Sequence, residues 1–331
     1  MPLTTASVPL PSPPPSPTLP RERTKYSSGG WGDTLFKNLT LIFALSILGI
    51  ALAIAWELYK NSALPRHAFG WSFLTRQIWD PVAEDFGALP FIFGTLVSSA
   101  LALLMAIPLG VGVAIFLAEL APRKVSSACA FLIELLAAIP SVVYGLIGIF
   151  VLVPFMRVYV QPFLMKTLGF LPLFHGPAYG VGMLTAAVIL AIMIVPFITT
   201  ISREIFLSVP IALKEAAMAL GATHWEVVRL AVLPYSRSGI AGSVFLALGR
   251  ALGETMAVTM VIGNRPEIMA SLLAPGYTMA AVLANEFTEA TSDLYVQTLI
   301  EIGLVLFVIT IAVNAIGRLI LYKMNPHAES H

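Results

Sequence analysis

Two charged residues interrupt a long apolar stretch and are the best candidates for chemistry. They are Arg250 and Glu254, in the segment GRALGETMAVTMVIGN (Gly249–Asn264). If this stretch crosses a membrane, each charge costs about 2.5–3.5 kcal/mol to insert, so neither side chain should face lipid. In a water-filled cavity the guanidinium fork of Arg250 can hold a tetrahedral oxyanion. Glu254, at i,i+4 spacing, can then orient Arg250 and limit how tightly the anion binds.

A purely structural interpretation fits the same spacing. Gly249 and Gly253 form a GxxxG pair, which lets another helix approach closely. Arg250 and Glu254 would then be an ion pair between helices, and spacing alone leaves both interpretations open. Asn264, at the end of the segment, is predicted to line the outer mouth of a path through this helix.

The other polar residues make weaker candidates. Glu301 and Asn314 lie in a later apolar stretch, where such residues are typical of helix packing. The five histidines show no metal-ligand spacing. Cys129 is the only cysteine, which excludes an intrachain disulfide and a metal site built from several cysteines. We therefore expect neither a metal site nor a bound cofactor in this chain.

The composition is that of an integral membrane protein. Hydrophobic residues make up 58% of the 331 residues and charged residues only 11%, with a mean hydropathy of +0.87. The apolar runs are about 20 residues or longer, which indicates spanning helices, since a β-barrel would show alternating segments of about 10 residues. The net charge of +1 gives no indication of a nucleic-acid partner.

These runs predict an all-α, polytopic membrane protein with six transmembrane helices. The predicted spans are Leu39–Trp56, Phe91–Leu117, Ala128–Met156, Gly180–Ile201, Gly239–Gly263 and Thr298–Leu319. Residues 1–34, rich in Pro and Ser, are predicted to be a disordered tail, and residues 323–331 a second tail. Residues 35–90 would hold the first helix and an outer loop, and residues 91–322 a core of five helices.

The distribution of positive charge predicts the orientation. Six spans place both termini on one side of the membrane. That side, which also holds the loop of residues 203–238, carries more Lys and Arg residues than the other. Because such residues are enriched in cytoplasmic loops, we expect both termini and this loop to be cytoplasmic, in a multi-pass protein of the inner membrane.

The cytoplasmic loop has the pattern of two helices joined by a glycine. Pro210 suits the first turn of a helix that runs from Ile211 to Leu220, and Gly221 allows the chain to turn. Thr223 and Glu226 fit a reciprocal capping box at the start of a second helix. We expect that helix to end by Pro234, whose ring cannot continue a helix interior.

This loop resembles the EAA motif of ABC importer permeases. The resemblance lies in EAAMALG (Glu215–Gly221) and AVLP (Ala231–Pro234), in which Ala231 departs from the usual Ile. The matching positions are Glu215, Ala216, Ala217, Gly221, Leu233 and Pro234. The resemblance implies a type I ABC importer permease fold, with the first helix of the loop docked in a cleft of a cytoplasmic ATPase. The chain has no GxxxxGK[ST] phosphate loop, so we expect ATP and Mg to be bound by that partner and this chain not to be an enzyme.

Further motifs resemble the PstC-type permease family of bacterial phosphate ABC importers. They are GRALGETMAV (Gly249–Val258), IPSVVYG (Ile139–Gly145) and IWDP (Ile78–Pro81), and the resemblance covers about residues 35–322. It implies a phosphate path that includes Arg250 and Glu254. It also implies four kinds of partner: a second, homologous permease, an ATPase dimer, a periplasmic phosphate-binding protein and membrane lipid.

Three alternatives remain at this point. The substrate could be another oxyanion, such as sulfate, molybdate or phosphonate, because the same Arg chemistry would bind it. An ion-coupled secondary transporter could use Arg250 and Glu254 as a relay, without the partners. A membrane enzyme is the third alternative, but the sequence shows no nucleophile–base pair or metal cluster to support it.

Overall fold

The computed structural model describes residues 31–324. Most of the predicted N-terminal tail, residues 1–34, lies outside the described residues, as does most of the predicted C-terminal tail, residues 323–331. The described ends of both segments are helical, because the first helix begins at Trp31 and the last one ends at Met324.

Contacts divide the chain into two units, with the boundary between Ala53 and Ile54. The described part of the first unit belongs to helix α1 (Trp31–Asn61), which has no buried residue. Its apolar side chains, such as Phe43, Leu45 and Ile47, are exposed. A helix that is apolar all round needs lipid or another apolar surface around it, as expected for a membrane span.

The second unit holds the rest of the described helices. They are α2 (Ala63–Phe69), α3 (Leu89–Leu120), α4 (Arg123–Ala137), α5 (Ser141–Leu168), α6 (Met183–Leu207), α7 (Ile211–Ala219), α8 (His224–Leu252), α9 (Met256–Ile262), α10 (Met279–Glu286) and α11 (Asp293–Met324). Within the described residues, six helices are long and apolar enough to cross a membrane: α1, α3, α5, α6, α8 and α11. The prediction of a largely helical, six-span protein is confirmed, and the described strands form one small hairpin, β1 (Trp79–Asp80) with β2 (Asp85–Phe86).

The predicted third span, Ala128–Met156, is wrong. The helix ends at Ala137, and Pro140 precedes a new helix, α5, which is the actual third span. Proline restricts the residue before it to extended backbone and lacks the N–H that a helix interior needs. The Tyr144 hydroxyl donates to the Leu136 carbonyl at 2.7 Å, which supplies a partner to an oxygen at the end of α4.

The predicted end of the loop's second helix at Pro234 is also wrong. Helix α8 runs through this proline because a π-helical turn, Val228–Val232, comes just before it. In that turn the Leu233 N–H donates to the Val228 carbonyl, five residues back instead of four. This shift in the backbone hydrogen bonds comes directly before Pro234, which has no N–H to donate. The loop and the fifth span therefore share one continuous helix.

The core of the second unit forms around α6. Buried residues of α6, such as Ile194 and Ile198, pack with Ala102 and Ala106 of α3. Gly110 of α3 allows the close approach, since a Cβ there would lie 2.9 Å from Ile198 Cγ2. Helices α8 and α9 complete this core, so the segment that carries Arg250 and Glu254 is attached to the most buried span.

A second core, rich in aromatic residues, joins the β hairpin to α3, α10 and α11. Trp79 lies edge-on to Phe91, with 4.7 Å between ring centroids. The carboxylate of Glu286 accepts from Trp79 Nε1 at 2.8 Å and from the Tyr295 hydroxyl at 2.6 Å. The IWDP motif is therefore a structural element here, because its tryptophan anchors the connection between the first two spans.

Candidate functional site

The fifth span is interrupted in the region predicted to do chemistry. A continuous helix over Gly239–Gly263 was expected, but α8 ends at Leu252 and α9 starts at Met256. Gly253, Glu254 and Thr255 form the break between them. Backbone that leaves a helix within a membrane is tolerated only where it is buried in protein or lines a water-filled cavity. The break is therefore a candidate element of a polar path.

Glu254 stabilises this break. Its Oε1 accepts from the backbone N–H of Ala257 at 3.2 Å, which satisfies a donor in the first turn of α9. The predicted i,i+4 ion pair with Arg250 is absent, since the ion pairs of the described residues do not include these two. The physical reason is that the helix ends between them, so the i,i+4 geometry is lost.

Arg250 lies close to the end of α8, next to the break, and its side chain is exposed. Since a guanidinium cannot face hydrocarbon without a large cost, its exposed side chain requires water, a partner chain or an anion. This exposure makes Arg250 a candidate to meet a passing anion.

Only one glycine of the GxxxG pair lies at a contact between two helices. A Cβ on Gly249 would lie 3.7 Å from the Asn314 side chain of α11, which is an ordinary van der Waals distance, so the two helices meet here without requiring glycine. A Cβ on Gly253 would meet only the carbonyl of Gly249, at 3.8 Å. Gly253 therefore contributes to the break rather than to a second helix contact.

The structure separates Asn264 from the other two residues. It follows α9, whose length is about 10 Å at 1.5 Å per residue, so it marks the far end of that helix from Glu254. Its backbone is left-handed, with φ of 50°, and its Nδ2 donates to the Thr259 carbonyl at 3.0 Å. Asn264 therefore terminates α9, whereas Arg250 and Glu254 flank the break.

The IPSVVYG motif packs directly against α9. A Cβ on Gly145 would lie 2.4 Å from Met260 Sδ and 3.2 Å from the Cα of Ala257. Only glycine permits this approach of α5 to α9. The motif thereby holds α9, and the break that precedes it, in a fixed position.

The predicted loop structure is confirmed around Gly221. Helix α7 ends in a Schellman motif, in which Ala222 N–H donates to Ala217 O at 3.2 Å and Gly221 N–H to Met218 O at 2.9 Å. Gly221 has φ of 86°, a left-handed value that favours glycine. The capping box is present, since the Thr223 hydroxyl accepts from Glu226 N–H and the Glu226 carboxylate accepts from Thr223 N–H at 2.8 Å.

The surface of α7 is more apolar than its alanine-rich motif suggests. Glu215 and Ala216 are exposed and Ala217 is partly exposed. Large apolar side chains are exposed beside them, namely Ile211, Met218, Leu220 and Trp225, and Leu220 reaches 90%. Farther along, Leu233 is partly buried and Pro234 is exposed. An exposed apolar patch of this kind typically marks a contact with another protein or a membrane.

One ion pair in the structure was not predicted from the sequence. Lys214 of α7 and Glu119 at the end of α3 lie 2.6 Å apart, with side chains 17% and 11% exposed. They are 95 residues apart in sequence, and spacing alone cannot reveal such a contact. The available signal was topological, since both residues are charged and lie at the same predicted face of the membrane.

Comparison with known proteins agrees with this architecture. Residues 106–328 match the family described as "Binding-protein-dependent transport system inner membrane component". A relative from Mesorhizobium japonicum is 50% identical over 297 residues, which are 88% of this chain and 91% of the relative. Relatives from Haemophilus influenzae, 47% identical over 91% of this chain and 96% of the relative, and Mycobacterium tuberculosis, 41% identical over 77% and 78%, also match. The first two are named "Phosphate transport system permease protein PstC", and the third carries the same name with the number 1.

Solved structures share the fold at lower sequence identity. A chain of a bacterial alginate ABC transporter, solved with an alginate-bound periplasmic protein, gives a TM-score of 0.56 at 16% identity and covers 87% of this chain and 95% of that one. A chain of the inward-facing MetNI methionine ABC transporter gives 0.51 at 17% identity, over 75% and 99%. These likenesses support the type I ABC importer permease fold. The long family match and the close relatives together show that the chain belongs to the family of binding-protein-dependent transport system inner membrane components, within its PstC group of permeases.

Proposed function

We propose that this chain is the permease subunit that carries inorganic phosphate across the cytoplasmic membrane in an ABC importer. The observation that carries the proposal is the 50% identity over 297 residues with a relative named as a phosphate transport permease. Identity at this level over most of the chain supports the same substrate class for this protein. The lower-identity structural matches, which concern alginate and methionine transporters, support the fold only.

Phosphate passes the break between α8 and α9 in this proposal. Arg250 is exposed beside the break and offers a planar set of N–H donors that suits a tetrahedral oxyanion. Glu254, which is partly exposed, adds a negative charge near the same place. A like charge weakens anion binding, so the phosphate can leave as well as enter. Asn264 lies farther along the path, at the other end of α9.

Helix α7 is the contact to the ATPase. Its exposed apolar side chains and its Schellman end form a surface that a cleft of another protein can cover. The match to the EAA motif at Glu215, Ala216, Ala217 and Gly221, with Leu233 and Pro234 in α8, supports an ATPase cleft as the partner. The Lys214–Glu119 pair ties α7 to α3, so a displacement of α7 is passed to the spans.

The remaining partners follow from what a single permease lacks. We propose a second, homologous permease that completes the path, a cytoplasmic ATPase dimer that binds ATP and Mg, and a periplasmic phosphate-binding protein. The Lys and Arg residues near both termini and in the loop of residues 203–238 support a cytoplasmic location for the termini and for α7, because such residues are enriched on the cytoplasmic side. ATP binding would then draw the two coupling helices together, and hydrolysis would release phosphate inward.

Reconstitution tests this proposal. Proteoliposomes with this chain, the second permease, the ATPase and the binding protein should take up radiolabelled phosphate only when ATP is present. A hundredfold excess of unlabelled phosphate should abolish the uptake, whereas equal sulfate, molybdate or phosphonate should not. Uptake by this chain alone, driven by an ion gradient and indifferent to ATP, would establish a secondary transporter instead. Stronger competition by another oxyanion would reassign the substrate.

A further inference from the structure

A cavity of about 540 Å³ lies against α11, in a part of the molecule that the phosphate path does not use. Its walls come from the end of α1, from α2 and the turn after it, from α3 and from α11. The polar or amphipathic residues among its lining are Tyr59, Arg66, Trp71 and Glu301. The rest of the lining is mostly apolar, and none of it belongs to α8 or α9.

Glu301 is an unusual residue for such a place. It is only 7% exposed, and its Oε2 has no hydrogen-bond partner among the described residues. Burying a carboxylate oxygen without a donor is costly, and buried acids in spanning helices are normally paired. Since Glu301 lines the cavity, a ligand in the cavity that brings an N–H donor would supply what the protein does not.

Arg66 brings the opposite charge to the same cavity. Its guanidinium carbon lies 3.6 Å above the Tyr59 ring, and its Nε donates to the Ser62 carbonyl at 3.1 Å. A second donor, Nη2, reaches the Tyr59 carbonyl. Arg66 and Glu301 are not among the ion pairs of residues 31–324. The cavity is therefore lined by a held cation and a buried carboxyl group that form no direct ion pair with each other.

The remaining walls fit a hydrocarbon chain. Leu304, Val305, Val308 and Ile309 recur along one face of α11, and Ile92 of α3 also lines the cavity. Trp71, 87% exposed, also lines the cavity. Exposed tryptophans are enriched at the level of lipid headgroups, which places the polar part of the cavity there and the apolar part deeper.

We propose that this cavity binds a phospholipid of the phosphatidylethanolamine class, with its phosphate at Arg66, its ammonium at Glu301 and an acyl chain along Val305 and Val308. A primary ammonium offers three N–H donors to the carboxylate. A choline headgroup has the same charge but no N–H donor. A phosphatidylglycerol headgroup lacks the positive charge and would leave Glu301 unneutralised. The site therefore distinguishes three common headgroups by chemistry alone.

Lipid retention tests the proposal independently of transport. The full chain, purified in detergent, is equilibrated with mixed micelles that hold equal amounts of phosphatidylethanolamine, phosphatidylcholine and phosphatidylglycerol. After washing, the retained lipids are counted by mass spectrometry. We expect phosphatidylethanolamine to be retained at least tenfold over the other two. Glu301→Gln should lower its retention about tenfold, because a charge-assisted hydrogen bond is lost.

Glu57→Gln is the matched control. Glu57 is an exposed carboxylate whose Oε1 already accepts from Asn61 Nδ2 at 2.8 Å, and it does not line the cavity. Its replacement should leave retention unchanged. Val308→Trp provides a second variant, since this side chain is 56% exposed and a larger one would fill the apolar part of the cavity without entering a core. It should also remove the bound phosphatidylethanolamine.

Two results would overturn the proposal. One is equal retention of phosphatidylcholine and phosphatidylethanolamine by the unaltered chain. The other is unchanged phosphatidylethanolamine retention in Glu301→Gln with a wild-type melting temperature. If Glu301→Gln does not fold, Val308→Trp decides, because retention at the wild-type level in that variant places the lipid elsewhere.

Discussion

Lys214 Nζ of helix α7 lies 2.6 Å from Glu119 Oε1 at the end of α3. Both side chains are largely buried, so water screens the pair less than it would at an exposed surface. Helix α7 carries the surface proposed to meet the ATPase, and α3 packs on the central span α6. The pair is thus a direct ionic link between the coupling surface and the transmembrane core.

The first prediction concerns this link. Lys214→Met should lower the free energy of unfolding by about 1.5–3 kcal/mol, the usual contribution of a hydrogen bond to a charged group. It should also reduce phosphate uptake more than ATP hydrolysis, because α7 can then move without α3. Thermal unfolding of the complex and parallel uptake and ATPase assays measure both effects. The reversed pair, Lys214→Glu with Glu119→Lys, should restore most of the loss.

A second ion pair, of which one partner is exposed, is the control for that prediction. Arg203 and Glu204 lie 2.9 Å apart, but the Glu204 side chain is 65% exposed. Glu204→Gln should cost less than about 1 kcal/mol, as exposed ion pairs do. If Lys214→Met has no larger effect than Glu204→Gln on stability and coupling, the link between α7 and α3 is unimportant.

The second prediction concerns Gly221 at the end of α7. A Cβ there would meet no atom within 4 Å, so the chain itself has room for a side chain. The left-handed φ of 86° is the obstacle, since it costs other residues roughly 1–2 kcal/mol. Gly221→Val should therefore distort the end of α7, release the ATPase on purification and abolish ATP-driven uptake while the spans remain folded.

Gly242 offers a matched control for this substitution. A Cβ at Gly242 also meets nothing within 4 Å, but its backbone is that of an ordinary helix in α8. Gly242→Val should leave ATPase co-purification intact. Gly221→Asn should retain part of the coupling, because Asn tolerates the left-handed region better than Val. Full co-purification and uptake with Gly221→Val would refute the docking proposal.

Local signals predicted the cap and the turn of the loop but not the extent of its second helix. The capping box of Thr223 and Glu226 and the turn at Gly221 depend on residues within a few positions of one another. The predicted helix end at Pro234 was wrong because the effect of a proline depends on the hydrogen bonds that precede it. A π turn changes those hydrogen bonds. Sequence spacing does not reveal such a turn.

The candidate site shows the same limit. Arg250 and Glu254 stand out by their charge in an apolar stretch, and their role in the path stays a prediction. Their pairing required a continuous helix that the structure does not have. Helix α9, which follows the break, packs against Gly145 of another span, and sequence spacing does not reveal such a tertiary contact. Long-range contacts such as Lys214–Glu119 were unpredictable for the same reason.

The third prediction concerns Arg250. Arg250→Gln should lower phosphate uptake about ten- to hundredfold, the loss expected when a charge-assisted hydrogen bond to the anion is removed. Assembly with the ATPase should persist, since Arg250 takes part in no ion pair of the described residues. Arg318→Gln, at an exposed arginine near the end of α11, is the control. Normal uptake by Arg250→Gln would leave Arg250 a structural residue only.

The fourth prediction separates the two roles of Glu254. Its Oε1 accepts from Ala257 N–H at 3.2 Å, and the amide oxygen of glutamine can accept the same bond. Glu254→Gln should therefore keep the melting temperature, whereas Glu254→Ala should cost about 0.5–2 kcal/mol, as the loss of a helix cap does. If the negative charge also weakens phosphate binding near Arg250, Glu254→Gln should lower both the maximal rate of uptake and the phosphate concentration at half-maximal rate. Uptake kinetics identical to wild type in Glu254→Gln, with a destabilised Glu254→Ala, would restrict Glu254 to capping α9. The break would then depend on this residue for its shape, and the passing anion would meet only Arg250.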